Sequence, residues 1–296
     1  MAIWRPDPWH RYPDQLRFVA RFPAYTTSVS GQTLTWWYRE GEEVAAMRFH
    51  PYPADGPLWV EGAHIARAER AMRLHLEPLP DDLPRKLGSD AHRRLYERFS
   101  GIRPVLALNA FEGLVWAILG QQINVAFAVR LKEAMARRWG TVIETPSGTV
   151  AIFPSPGQLA RVGIEDMRAL QLSRQKAKTI SWLAGQIADG GWDLDQFYQL
   201  PTEPARQALI AVPGIGPWTA DYALLRVFGH PDVIPVADVG LRRAWARAVG
   251  CDGVTPAELD IAAEAWSGHR SEFAFWLWLS NLDDDIAQVG HGPPRR

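Results

Sequence analysis

LIAVPGIGPWTADYALLRVFGHPDVIPVADVGLRRA, residues 209–244, is the stretch on which the reading of this chain turns. It opens at the end of a helical pattern, TEPARQALIAV, and runs into a tight turn, Val212-Pro213-Gly214-Ile215-Gly216. Pro217 then suits the first position of a second helix, where no N–H donor is needed. Glycines permit the positive φ such a turn requires and let another backbone come close. The free N–H groups of the new helix start would face outward and can bind an anion such as a phosphate. A bare Gly-x-Gly after a helix reads as an ordinary helix cap. The full order is sharper: helix, apolar-Pro-Gly-apolar-Gly, second helix, then an isolated carboxylate, Asp238, ahead of further helical sequence.

Working outward, NAFEGLVWAILGQQINVAFAVRLKEAMARRWG (109–140) splits at Gly120-Gln121-Gln122 into two helices joined by a tight polar turn. EDMRALQLSRQKAKTISWLAGQIADG predicts two more, and SDAHRRLYERF a short one with Ser89 as N-cap. GLRRAWARAVG, TPAELDIAAEAW and SEFAFWLWLSN follow Asp238 as helices, and the tail DDDIAQVGHGPPRR reads as frayed. Near the other end, QLRFVARFP, GQTLTWWYR and EVAAMRFHPY mix β-branched, aromatic and polar residues with partial alternation. They read as strands, with turns at Ser30-Gly31 and Gly41-Glu42. IARAERAMRLHLEP (65–78) has helical spacing, and Pro78, Pro80 and Pro84 mark a linker. The expected fold is α+β. A small N-terminal antiparallel-sheet domain over 1–84 precedes a mostly helical region of two subdomains over 85–296, with the helical hairpin at 205–228. The cleft between the helical subdomains is the natural ligand site.

The 296 residues are 47% hydrophobic and 22% charged, ordinary for a globular protein. The lone Cys251 excludes an internal disulfide framework and any cluster held by several thiolates of this chain. A net charge of −1 argues against a surface that attracts nucleic acid everywhere, but leaves room for one basic face. No apolar run is long enough for a membrane helix, and MAIWRPDPWHRYPD lacks the apolar core of a secretory signal, so a cytoplasmic protein is expected. Most of the 14 tryptophans must pack in cores, with a few free to line a pocket that stacks on a flat ligand.

In this order the motifs resemble the helix-hairpin-helix base-excision DNA glycosylases, over roughly residues 105–280. The resemblance implies that the hairpin, through Gly214, Ile215, Gly216 and Thr219, grips the backbone of damaged DNA without reading its sequence. It also implies that a monovalent cation could sit between hairpin carbonyls and a phosphate. Asp238 matches the family's catalytic aspartate. ILGQQINVAFAVRL (118–131) matches the element that approaches the DNA gap. There Gln122, beside Gln121, takes the place of the wedge that fills the hole left by a flipped nucleotide. In LSRQKAKTI (172–180), Arg174, Lys176 and Lys178 have no acid near them in sequence and are expected to touch phosphate. Trp218 and Tyr222 lie four apart, share a helix face and match positions that line the base pocket. In WSGHRSEFAFWLW, His269 stands where the family carries a pocket aromatic, followed by Arg270, which is expected on the DNA side.

Departures select a branch. The iron–sulfur branch needs four cysteines. The bifunctional branch carries a Schiff-base lysine just after the hairpin glycines, where this chain has Trp218, and no lysine follows Lys178. What remains is similar to the alkylation-repair branch, the 3-methyladenine DNA glycosylase II type, which also carries a mixed α/β N-terminal domain. The resemblance therefore implies a monofunctional, monomeric enzyme without cofactor or catalytic metal. It would hydrolyse the N-glycosidic bond of alkylated bases, 3-methyladenine and 7-methylguanine among them, in double-stranded DNA. An oxidised-purine glycosylase and a non-catalytic helix-hairpin-helix DNA-binding module are the competing readings; the first usually keeps the lysine, and the second needs neither Asp238 nor the Gln121-Gln122 turn.

Overall fold

The computed structural model describes residues 2–4, 9–22, 25–52, 58–62, 64–73 and 76–289. Five antiparallel strands, β1 (Ala2–Trp4), β2 (Thr26–Ser30), β3 (Thr33–Glu40), β4 (Glu43–His50) and β5 (Leu58–Glu61), form one sheet in the order β1-β5-β4-β3-β2. Alternation in β3 puts Leu34, Trp36 and Tyr38 on the buried face, with Met47 and Phe49 of β4 and Leu58 and Val60 of β5. The turns at residues 31 and 41 are where the sequence expects them, both glycines at φ +57°.

QLRFVAR of that first run is helical, contrary to expectation: α1 spans Tyr12–Arg21, and Pro23 lies outside the described residues. Its buried residues, Tyr12, Gln15, Leu16 and Val19, recur at three and four, the period of a helix face rather than a strand. α2 (Ile65–Met72) stops earlier than the proline cluster suggests, because Arg73 takes the left-handed conformation at its end; residues 74 and 75 of the expected helix lie outside the described residues.

The helices continue as α3 (Leu83–Lys86), α4 (Asp90–Phe99), α5 (Ala110–Leu119), α6 (Val125–Trp139), α7 (Pro156–Ala160), α8 (Ile164–Ala169) and α9 (Arg174–Ala188). α10 (Thr202–Ile210), α11 (Pro217–Ala223), α12 (Val239–Val249), α13 (Pro256–Glu264) and α14 (Arg270–Val289) complete the chain. Ser89, Asn109, Asn124, Ser155, Ser173, Asp238 and Thr255 each accept a backbone N–H at their helix start. A two-stranded hairpin, β6 (Thr141–Thr145) with β7 (Gly148–Ile152), sits among the helices and was not expected there. α14 runs through much of the stretch read as a frayed tail; residues 290–296 lie outside the described residues.

Two apolar cores organise the molecule. One joins the sheet and α1 to α4 and the C-terminal helices, through Leu16, Phe49, Leu95, Trp266 and Trp276. The other packs α5, α6, α9, α10 and α11 around Leu114, Ile180 and Ala220. A smaller aromatic cluster of Trp116 and Tyr222, with Phe22, Trp218 and Trp278 against it, lies where they meet.

Two buried histidines make stability pH-dependent. Burial holds His92, stacked on Trp245, and His230, bonded to Phe197 O, below the ordinary imidazole range. A depressed folded pKa gives stability that is complete above the unfolded value of about 6.5 and erodes as pH falls through and beneath it. The melting temperature should therefore drop between pH 7 and pH 5.5, and His230→Gln should flatten that slope; an unchanged slope in the variant would contradict this assignment.

Candidate active site

α10, the turn and α11 form the helical hairpin. Gly214 has φ +94°, and a Cβ there would stand 2.0 Å from Thr179 Oγ1, so conformation and space both require glycine. Gly216 differs: its φ is −93° and a Cβ would meet nothing within 4 Å. It faces open space with the exposed Pro217. Ile215 is buried and anchors the turn in the core, leaving only its backbone for an external ligand. Asp221 on α11 accepts from Arg206 Nε on α10 at 2.7 Å, clamping the two helices. The carbonyls of Val212, Pro213 and Gly214 already accept from Ile215 N, Thr179 Oγ1 and Gln121 Nε2. A cation in the turn would be left with the lone pairs those bonds do not use.

Several residues expected at the DNA are also braced internally. Gln121 Nε2 donates to Gly214 O at 3.0 Å and to Thr219 Oγ1 at 2.9 Å, tying the α5–α6 turn to the hairpin. Thr219 is 2% exposed and cannot meet a duplex. Lys176 is also buried; its Nζ donates to Leu119 O at 2.8 Å and Gln121 O at 2.7 Å. Arg174, read as lacking an acid, pairs with Glu165 at 2.7 Å across the α8–α9 bend, although it stays exposed. Arg270 pairs with Asp232 at 2.7 Å, and the same carboxylate caps the start of α14 through Gly268 N. Charge and sequence spacing suggested phosphate contacts; the fold shows which carbonyls and carboxylates these side chains meet. Gln122, expected as the wedge, is exposed at the tip between α5 and α6, in the left-handed region at φ +55°.

Replacing Lys176 by Met leaves two carbonyls short of a partner, at roughly 1–3 kcal/mol. The melting temperature should fall while the dependence of DNA affinity on salt keeps its slope; a shallower slope would return Lys176 to the phosphates.

Asp238 caps α12, its Oδ1 accepting from Leu241 N at 2.8 Å. Capping is half of its environment. Trp218 Nε1 donates to Oδ2 at 2.9 Å and Trp278 Nε1 to Oδ1 at 3.2 Å, so indoles from α11 and α14 hold both oxygens. The side chain is half-buried, between the exposed Ala237 and Val239. A Cβ at Gly240 would stand 3.0 Å from Oδ1, so the residue beside the carboxylate has to be small. A carboxylate offers about four acceptor positions; three are taken, leaving one free on Oδ2.

The aromatic wall continues inward. Tyr222 lies 5.5 Å, ring to ring, from both Trp218 and Trp278, and its hydroxyl accepts from Trp116 Nε1 at 3.0 Å. Behind Tyr222 is a cavity open to solvent, walled by Phe22, Tyr25, Trp36, Tyr38, Trp116 and Tyr222 with Glu112 and Arg226. Arg226 lies on a π-helical turn, Leu224–Phe228, a local widening of the helix frequent at functional sites. Its guanidinium lies within 5.1–5.9 Å of the Phe18, Phe22, Phe275 and Trp278 ring centres and donates to Tyr25 Oη at 2.8 Å. Burial pushes the Tyr25 hydroxyl up to about 12, so it stays neutral.

His269 precedes α14 nine residues before Trp278, about 13 Å along a helix axis. Among the described residues its ring packs against none of Asp238, Trp218 and Tyr222. Trp278 is the third aromatic at the carboxylate, and sequence reasoning missed it, together with Phe22 and Tyr25 from the N-terminal part. In the sequence Trp278 is one aromatic of FAFWLW; its being only half-buried, where Phe273, Phe275 and Trp276 are wholly buried, is a property of the folded helix.

Comparison with known proteins places the chain in a family. The family model described as HhH-GPD superfamily base excision DNA repair protein matches residues 115–268. DNA-3-methyladenine glycosylase of Bacillus subtilis (strain 168) is 32% identical over 183 residues, 61% of this chain and 60% of that protein. The match thus spans less than two thirds of that relative's length. DNA-3-methyladenine glycosylase 2 of Escherichia coli (strain K12) is 31% identical over 216 residues, 73% of this chain and 71% of that protein. The solved structure of 3-methyladenine DNA-glycosylase from Archaeoglobus fulgidus superposes with a TM-score of 0.79 at 25% identity, covering 96% of this chain and 99% of the other.

Proposed function

The chain belongs to the HhH-GPD superfamily of base excision DNA repair proteins, and on that footing we propose that it is a DNA glycosylase that hydrolyses the N-glycosidic bond of alkylated bases. The observation that carries the proposal is the carboxylate of Asp238, held through both oxygens by two indole N–H groups and a helix-start amide beside an aromatic wall.

Alkylation at a purine ring nitrogen makes the base cationic and a good leaving group, so little acid catalysis is needed. As the bond breaks, positive charge builds on the sugar. A carboxylate about 4 Å away, at an effective dielectric near 20, stabilises that charge by on the order of 4 kcal/mol, roughly 10³ in rate. With three donors on Asp238, its part is to stabilise the oxocarbenium ion electrostatically; the remaining Oδ2 position is left for the sugar or a water. The hairpin amides around Gly216 hold the duplex backbone, Gln122 enters the gap, and the flipped base stacks on Trp218, Tyr222 and Trp278. A cationic base is favoured there by cation–π attraction.

The enzyme is monofunctional in this reading. An indole stands where an amine nucleophile would be needed, and its N–H is engaged by Asp238. It acts as a monomer on damaged double-stranded DNA in the cytoplasm. No helix among the described residues is long and apolar enough to cross a membrane. The test is free-base release from a duplex carrying 7-methylguanine, with borohydride added in a parallel sample. Base release without a trapped protein–DNA adduct is expected; a trapped adduct would end the monofunctional assignment, and no release would end the glycosylase reading.

A further inference from the structure

Glu112 is the one acid lining the cavity behind Tyr222. It sits in the first turn of α5 and pairs with Lys132 of α6 at 2.6 Å, with both side chains largely buried. A buried charged pair is weak evidence for stability, because desolvation offsets most of the attraction, so its position calls for another explanation. The contact with Lys132 is made through Oε1. Across the cavity, Arg226 gives its Nε to Val105 O at 3.0 Å and its Nη2 to Tyr25, while Nη1 donates to no described residue. Tyr38 lines the same space, is 1% exposed, and its hydroxyl has no partner among the described residues. Buried polar atoms are nearly always satisfied, and a polar ligand edge in this cavity would satisfy the Tyr38 hydroxyl.

We propose that the cavity reads the edge of the flipped base, with Glu112 as the acceptor and Arg226 as the donor, so that it selects alkylated purines whose edge carries N–H groups beside an acceptor. This rests on the glycosylase reading above and gives it a substrate class. The edge of 7-methylguanine offers N–H donors next to O6. 1,N6-ethenoadenine offers acceptors and no N–H, and would face the Glu112 carboxylate lone pair to lone pair. Lys132 fixes the carboxylate and balances its charge, so the discrimination comes from hydrogen bonding; a site that leaves a polar group unpaired by the wrong ligand discriminates strongly.

The test uses the full chain with Asp238→Asn, so that bound lesions persist, and measures dissociation constants for duplexes carrying 7-methylguanine, 1,N6-ethenoadenine or no lesion. The 7-methylguanine duplex should bind at least tenfold tighter than the ethenoadenine duplex. Adding Glu112→Gln, whose amide both donates and accepts, should shrink that preference to less than threefold. Glu112→Gln/Lys132→Gln removes both charges together, avoids an unpaired buried lysine, and should behave in the same way. A melting curve for each variant establishes that the preference is read on folded protein. The proposal is overturned if the preference is missing at the outset, or persists within threefold in both variants. Release assays with the wild type separate the two readings: failure to release 7-methylguanine removes the glycosylase reading, whereas release with no lesion preference removes the edge-reading pocket alone.

Discussion

Asp238→Asn should lower single-turnover base release by about 10³-fold while leaving the fold and the affinity for damaged duplex nearly intact. Asn caps a helix as well as Asp does, so the bond from Leu241 N survives. What changes is the charge, and with it the attraction for a sugar becoming positive. With oxygen kept at the Oδ1 position, the amide NH2 takes the place of Oδ2 and faces Trp218 Nε1, donor to donor, so that indole bond is lost. Rapid-quench measurement of free base, beside a melting curve and a binding isotherm, separates these effects. A loss in rate that merely tracks a loss in melting temperature would make Asp238 a cap and nothing more.

Gly214→Ala should have the next largest effect, at the hairpin. At φ +94° an alanine is strained, and its Cβ would overlap Thr179 Oγ1 at 2.0 Å and crowd Gln175 Nε2 at 2.8 Å. Thr179 cannot yield cheaply, because its hydroxyl donates to Pro213 O from the middle of α9. The turn must therefore move, carrying its amides and the Gly214 carbonyl that Gln121 holds. Duplex affinity should fall at least tenfold, for damaged and undamaged DNA alike, since the backbone contact is blind to sequence. Gly216→Ala is the comparison: it meets no protein atom within 4 Å, so the fold should be unaffected. Loss of affinity in that variant without a change in melting temperature would put the duplex backbone against residue 216; affinity unchanged in both variants would remove the hairpin from the DNA interface.

The backbone plan was legible where local rules act alone. The split of α5 from α6, the Ser89 cap and the hairpin with Pro217 opening α11 all follow from caps and turn residues. α1 was misread because a short run with Phe, Val and Leu fits a strand by composition, and only the spacing of its buried residues identifies the helix. The site was legible in part. Asp238, Trp218 and Tyr222 come together because the hairpin and the following loop lie close in sequence. Trp278, Phe22, Tyr25 and Glu112 come from distant segments, and no local pattern links them to Asp238. The basic residues misled for a related reason. Lys176 reads as a surface cation until its reach to two carbonyls at the α5–α6 turn is seen, and Arg174 until α8 folds back with Glu165.

The central claim is that the Asp238 carboxylate faces a sugar that is turning cationic. Binding of duplexes carrying a pyrrolidine, which is cationic, or a tetrahydrofuran, which is neutral, at the abasic position tests it most directly. Wild type should hold the pyrrolidine duplex at least a hundredfold more tightly than the tetrahydrofuran duplex, and Asp238→Asn should bind the two alike. Equal binding by the wild type, or a preference that survives in Asp238→Asn, would contradict it.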